Sequence, residues 1–174
     1  SVTAFCERVE DPASVPAKVD QAIRVARTRQ HPVYLEIPQG VLGAACAAPT
    51  APIDLTIPAG AAPAVADRIL HALAAAKAPL LIVGVEVQRY GMAARVLSIV
   101  NKLKIRWATT LLERTTLSEQ HALFQGVFNG EKAPAVLKSA LRGADLIVSL
   151  GAVFGSGHAS IMIPQKDKTI RIWD

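Results

Sequence analysis

The sequence predicts an α/β protein whose parallel sheet carries helices on both faces. Three observations predict it. Short apolar runs of strand length recur at 80–84, 105–109, 145–151 and 169–173, with apolar residues at helical spacing between them. Such alternation builds βαβ units, because parallel strands need a crossover. The strands are apolar at nearly every position, so both faces must be covered.

Composition agrees. The 174 residues are 51% hydrophobic and 19% charged, which excludes a disordered chain. A chain of this length buries about 70% of its unfolded surface. The longest apolar run, 78–85, stops at Glu86, well short of the ~18 residues of a membrane span, so no membrane partner is expected. A net charge of +5 favours acidic metabolites. Lys and Arg are scattered and aromatics are 5%, too few for a base-stacking platform, so nucleic acid is not expected either. Cys6 and Cys46 cannot build a disulfide framework and form no CxxC pair, which fits a reducing cytoplasm. The start, Ser1-Val2-Thr3-Ala4, has no initiating Met and no signal pattern, and reads as a processed protein or an excised piece.

The first segment is 1–47. Asp11, Pro12 and Ser14 signal a helix start. Val15, Val19, Ile23 and Ala26 then make one apolar stripe. Arg27, Arg29 and His31 gather where cations suit the helix dipole, and Pro32 ends the helix. Val33 to Ile37 follows as a strand. This is a helix-strand fragment of another α/β domain whose partner strands are missing. It is expected to be loosely packed or paired with a neighbouring chain. Cys6 and Cys46 are expected to be small buried or linker residues.

Residues 48–62 form a linker stiffened by Pro49, Pro52 and Pro58. The segment 63–174 is the second domain. Pro63 suits a helix start, with Val65, Ile69, Leu70 and Leu73 on the buried face. Pro79 precedes the strand at 80–84. Gly91 opens a helix with Met92, Val96, Leu97, Val100 and Leu103 inward. A strand at 105–109, a polar stretch at 113–130, a helix at 133–141, and strands at 145–151 and 169–173 complete it. The result is a Rossmann-like doubly wound parallel sheet with right-handed crossovers.

Open parallel sheets bind ligands beyond the carboxyl ends of their strands. Three loops leave such ends. In 84–91, Gly84 and Gly91 permit a tight turn and close approach, and Arg89 offers charge to a phosphate. The pattern is not GxGxxG, Glu86 opposes an anion, and a plain strand-to-helix turn with a solvated Arg is favoured. In 109–114, Thr109 and Thr110 either bind a phosphate or cap the next turn, and capping is favoured. In 151–158, Gly151, Gly155 and Gly157 make a mobile loop able to cradle an anion. His158 has no carboxylate near it in sequence and reads as a solvated loop residue. The candidate cofactor-binding residues are therefore Gly84, Arg89, Gly91, Thr109, Thr110 and Gly151. No GxSxG, P-loop or acidic pair supplies a catalytic or metal set.

The stretch from Arg24 to Gln39, ending His31-Pro32-Val33-Tyr34-Leu35-Glu36-Ile37-Pro38, resembles the closing helix and strand of the pyrimidine-binding domain in thiamine-diphosphate-dependent 2-oxoacid decarboxylases. Residues 78–110, with Gly84, Glu86, Arg89, Tyr90 and Gly91, resemble the start of their middle domain. Residues 126–130, 144–152 and 169–174 continue it in the same order. The stretch 84–91 is most similar to the indolepyruvate/phenylpyruvate decarboxylase branch.

The resemblance implies a parent enzyme that removes CO2 from a 2-oxo acid of aryl-pyruvate type, using thiamine diphosphate and Mg. This chain would supply its central domain, carry subunit contacts in a homo-oligomer and border the active site through 109–114. The family's catalytic Glu lies upstream, and its Gly-Asp-Gly…Asn-Asn motif lies downstream. The chain has neither motif and is expected to be non-catalytic alone. One departure stands at Glu113-Arg114, where the family has a Gly-Lys pair, so substrate contacts there are not carried over. Related members hold FAD or ADP in this domain. That gives a second expectation, with phosphates at the loops after Gly84 and Gly151. A ligand-free interaction domain is the third.

Overall fold

The structure is a computed structural model that describes residues 2–48, 51–56 and 62–173. It divides into two compact units, Ser1–Gly60 and Ala61–Asp174. No helix among the described residues is long and apolar enough to cross a membrane.

The first unit runs β1 (Phe5–Arg8), α1 (Val15–Arg29), β2 (Val33–Glu36) and α2 (Gln39–Leu42). Asp11 starts it off: its Oδ1 accepts from the Ala13 amide at 3.0 Å, opening the turn that leads into α1. β1 pairs parallel with β2, Phe5 opposite Val33 and Arg8 opposite Glu36. This corrects the reading that the second strand lacks any partner here. Burial stays thin, because Val9 and Ala22 are the hydrophobic residues fully buried among those described in this unit. Cys6 and Cys46 are exposed rather than buried; Cys6 lies on the outward side of β1, where alternate residues turn to water. Two strands alone are marginal in water. The amides of β2 are therefore expected to exchange with deuterium ahead of those of the second unit's central strands, read by mass spectrometry.

Of the linker prolines, Pro49 and Pro58 lie outside the described residues, and 51–56 form no helix or strand.

The second unit runs α3 (Ala62–Ala75), β3 (Pro79–Val83), α4 (Val85–Arg89), α5 (Ala93–Leu103), β4 (Arg106–Thr110), β5 (Phe124–Phe128), α6 (Ala135–Gly143), β6 (Leu146–Leu150), α7 (Ser156–Met162) and β7 (Thr169–Ile172). All pairings are parallel, in the order β5-β4-β3-β6-β7. The chain begins at the centre, builds outward to β5, then crosses back to β6. That is the doubly wound sheet the apolar runs predict.

Two cores explain why the central strands are apolar throughout. Leu80 and Ile82 face one core with Phe128, Leu137, Leu141 and Ile147, which seats α6 and α7. Leu81 and Val83 face the other with Val96, Val100, Trp107 and Val148, which seats α3 and α5. Each such side chain contributes about 1.5–3 kcal/mol on full burial.

The helix faces differ in detail from the sequence expectation. On α3, Ile69, Ala72 and Leu73 pack on the core at helical spacing, followed by Ala76 just past the helix end, while Val65 and Leu70 are exposed. On α5, Val96 and Val100 are buried, and Leu103 ends the helix exposed beside the left-handed Lys104.

Two side chains fix the amino end of the sheet and its α6 boundary. Asp145 accepts from the Lys77 amide at 2.6 Å and the Ala78 amide at 2.9 Å, tying the start of β3 to the start of β6. These bonds hold its carboxyl below the ordinary 3.8. A lowered folded-state value means stability that is present above about 3.8 and lost as pH falls through the lowered value. Asp145→Asn is expected to lower the melting temperature at pH 7, with the gap to the unaltered protein closing below that window, read by circular dichroism. Lys168 Nζ donates to the Leu141, Arg142 and Ala144 carbonyls at 3.2, 3.0 and 2.6 Å. It thus caps the C-terminus of α6, where a cation also meets the helix dipole.

Candidate functional site

The order of the sheet reverses between β3 and β6, so the crevice that serves ligands in such folds lies beyond Val83 and Leu150. Gly84 and Gly151 stand there together. The Gly84 amide donates to the Leu150 carbonyl at 2.8 Å, and the Glu86 amide donates to the Gly151 carbonyl at 3.2 Å. The Gly151 amide donates to the Ile172 carbonyl at 2.7 Å. A Cβ on Gly84 would fall 2.2 Å from both the Gly151 oxygen and the Ala152 Cα. The glycines let two strand ends close on one another, and their amides are engaged by neighbouring carbonyls.

The other candidates spread along the same crest. The residues after Gly84 form the five-residue helix α4, with Arg89 exposed in its last turn and Gly91 left-handed (φ 63°) at the joint to α5. Thr109 is buried, opposite Val83 in register, with its hydroxyl 3.4 Å from the Val83 carbonyl. Thr110 precedes the turn at 111–113 but does not cap it; its hydroxyl is buried with no partner. Capping was the favoured reading, and it fails because the side chain turns inward.

His158 also departs from expectation. It lies in α7, and its Nδ1 accepts from the Gly155 amide at 3.2 Å. Its ring stands 5.0 Å from Phe128 and 5.6 Å from Phe154, with Nε2 buried and unpartnered. Packing against Phe128 of β5 and Phe154 of the loop before α7 leaves the ring half-buried rather than free in solvent.

Three features were missed by sequence reasoning. Glu113 is 1% exposed. The Thr110…Glu113 spacing, a capping-box pattern, was the available signal. His121 pins the far end of the loop: its Nδ1 accepts from Trp107 Nε1 at 3.2 Å and from the Leu123 amide at 3.2 Å. Both partners are donors, so Nε2 carries the proton and donates to Asn101 Oδ1 at 3.0 Å. Finally, Arg171 lies 5.1 Å from the Phe154 ring and 4.4 Å from the Trp173 ring. It borders a pocket of about 290 Å³ shared with His158, Met162 and Lys166. The arrangement offers apolar walls and two cations, and no nucleophile beside a base.

The family model for the thiamine pyrophosphate enzyme central domain matches residues 66–173. The chain belongs to this family. It is 31% identical to an indole-3-pyruvate decarboxylase of Azospirillum brasilense over 99% of this chain and 32% of that protein. It is 30% identical to a pyruvate decarboxylase of Candida glabrata over 91% of this chain and 30% of that protein. A solved structure from Mycobacterium smegmatis, described as a thiamin diphosphate-dependent enzyme, superposes with a TM-score of 0.68 at 25% identity, covering 89% of this chain and 32% of the other. The chain thus spans about a third of the length of the curated relatives it matches.

As a thiamine pyrophosphate enzyme central domain, the chain can be tested for fit to that cofactor. A diphosphate-bound divalent cation takes several oxygen ligands. Among the described residues no group of three His, Cys, Asp or Glu stands together to hold a metal. The amides of Gly84, Glu86 and Gly151 at the reversal point are already hydrogen-bonded. The described residues of this central domain do not fit the metal–diphosphate group.

Proposed function

We propose that the parent protein is a thiamine-diphosphate-dependent decarboxylase of 2-oxo acids, aryl pyruvates among them. These residues serve it as a non-catalytic central domain with the tail of the pyrimidine-binding domain, 1–47, before the linker at 48–62. The observation that carries the reading is the likeness to an indole-3-pyruvate decarboxylase across 99% of the chain, through both units. On this reading the parent uses Mg with its thiamine diphosphate, assembles as a homo-oligomer and works in the cytoplasm. The central domain contributes a rigid crest, and residues 109–114 border the active site.

Calorimetric titration of the chain with thiamine diphosphate plus Mg, with FAD and with ADP tests the reading. No saturable heat is expected from any of them. Saturable thiamine diphosphate binding would overturn the non-catalytic role. Saturable FAD or ADP binding, lost in Arg89→Ala, would make the chain a nucleotide-holding module instead.

A further inference from the structure

Residues 110–116, leaving the carboxyl end of β4, hold four polar side-chain atoms away from water with no hydrogen-bond partner. They are Thr110 Oγ1, both carboxyl oxygens of Glu113, and Thr116 Oγ1. An ionised carboxylate in that position loses its hydration, with only the Thr116 hydroxyl near enough to favour the charge, whereas a neutral carboxyl loses far less. The charged groups nearby do not relieve it. α4 packs against the turn at 111–113 and brings Glu86 and the exposed Arg89. On the loop itself, Arg114 is turned to Glu119, with Nε to Oε1 at 3.0 Å and Nη2 to Oε2 at 3.3 Å. β3 carries no charged residue, and the Arg106 of β4 lies at that strand's other end. His121 is engaged by Trp107, Leu123 and Asn101. Burial therefore pushes the Glu113 carboxyl above its ordinary 4.5, and the Thr116 hydroxyl opposes the rise only in part.

A second feature falls on the same span. Thr115 has φ 77°, a left-handed conformation that is strained for a β-branched residue. Firm attachments flank the span. Thr109 is buried before it, and Leu117 and the His121 contacts follow it. Between them, Leu111 and Leu112 are 50% and 63% exposed on the crest.

We propose that 110–116 is a two-state element latched by Glu113. With the carboxyl neutral, the loop is seated against α4. When the carboxyl gives its proton to solvent, the carboxylate moves out to water, Thr115 leaves the left-handed region, and Leu111 and Leu112 are released from their fixed position. The face beyond β4 thereby becomes pH-dependent. This inference stands apart from the proposed decarboxylase and holds whether or not that reading does.

The test is hydrogen exchange of the whole chain from pH 4 to 9, comparing the unaltered protein with Glu113→Gln at each pH so that intrinsic exchange cancels. The closed loop binds the proton more tightly than the open one. Opening therefore rises about tenfold per pH unit from the ordinary 4.5 up to the closed-state value, then levels off. Glu113→Gln lacks that rise. The exchange ratio at 111–116 is expected to start near one at pH 4 and climb. Thr115→Gly is expected to slow opening at every pH while keeping the climb. A ratio that stays at one overturns the proposal. So does a carbon-13 titration of the unaltered Glu113 carboxyl with its midpoint at the ordinary value, a measurement that needs no variant to fold.

Discussion

Gly84→Ala is expected to destabilise the second unit by about 3 kcal/mol or more, at the upper end of what overpacking costs. The new methyl would sit 2.2 Å from the Gly151 oxygen and the Ala152 Cα and 2.4 Å from the Ala152 nitrogen. All three are backbone atoms, so no side chain can rotate aside. Relief requires β3 and β6 to part at their carboxyl ends, which breaks the bonds from Gly84 to Leu150 and from Glu86 to Gly151. Those strands are the centre of the sheet, so the damage reaches both cores. Gly143→Ala is the control: nothing lies within 4 Å of its added methyl. Urea unfolding followed by circular dichroism should show a large midpoint loss for the first variant and little change for the second. Equal midpoints would mean that the two strand ends are not in contact.

Trp107→Ala should cost a similar amount, about 3–5 kcal/mol by the usual penalty for truncating a buried aromatic. The side chain is fully buried, and its ring lies 4.6 Å from that of Phe124. Its indole N–H is also one of two donors to His121 Nδ1. Trp107→Phe keeps most of the packing and drops that bond, at about 1 kcal/mol. The difference between the variants separates packing from hydrogen bonding. A loss under about 1 kcal/mol for the alanine variant, measured by the same unfolding curves, would contradict the placement of Trp107 in the core.

The central strands were legible because they are covered on two sides. β3 and β6 leave almost no position free for a polar residue, so composition alone marks them. β5 was hidden because it lies at the sheet edge. Gln125 and Gly126 interrupt its apolar run, and only one neighbour constrains it. β1 was hidden for a related reason: Cys6, Glu7 and Arg8 carry little strand signal, and parallel pairing with β2 decides the matter. α4 is five residues long, too short for a periodic stripe to form.

The site divides the same way. Two glycines at strand ends announce a close approach, but not which partner approaches; here each strand end meets the other. Arg89, a candidate phosphate ligand on sequence grounds, stands exposed in the last turn of α4, a helix too short to be read from its pattern. Glu113 sits in a polar stretch, and its burial is settled by α4, more than twenty residues earlier. His121 is likewise fixed by Trp107 and Asn101, both distant in sequence. Local patterns report which faces are apolar, whereas contacts between loops follow from the topology.

The most direct test of the central claim is CO2 release from a 2-oxo acid, with thiamine diphosphate and Mg supplied. It should be measured side by side for the full-length parent protein and for residues 1–174 alone. The parent is expected to turn over, and the isolated chain is expected to give no release above buffer. Turnover by residues 1–174 alone, or none by the full-length parent with aryl or aliphatic 2-oxo acids, would contradict the assignment of this chain as the non-catalytic central domain of a decarboxylase.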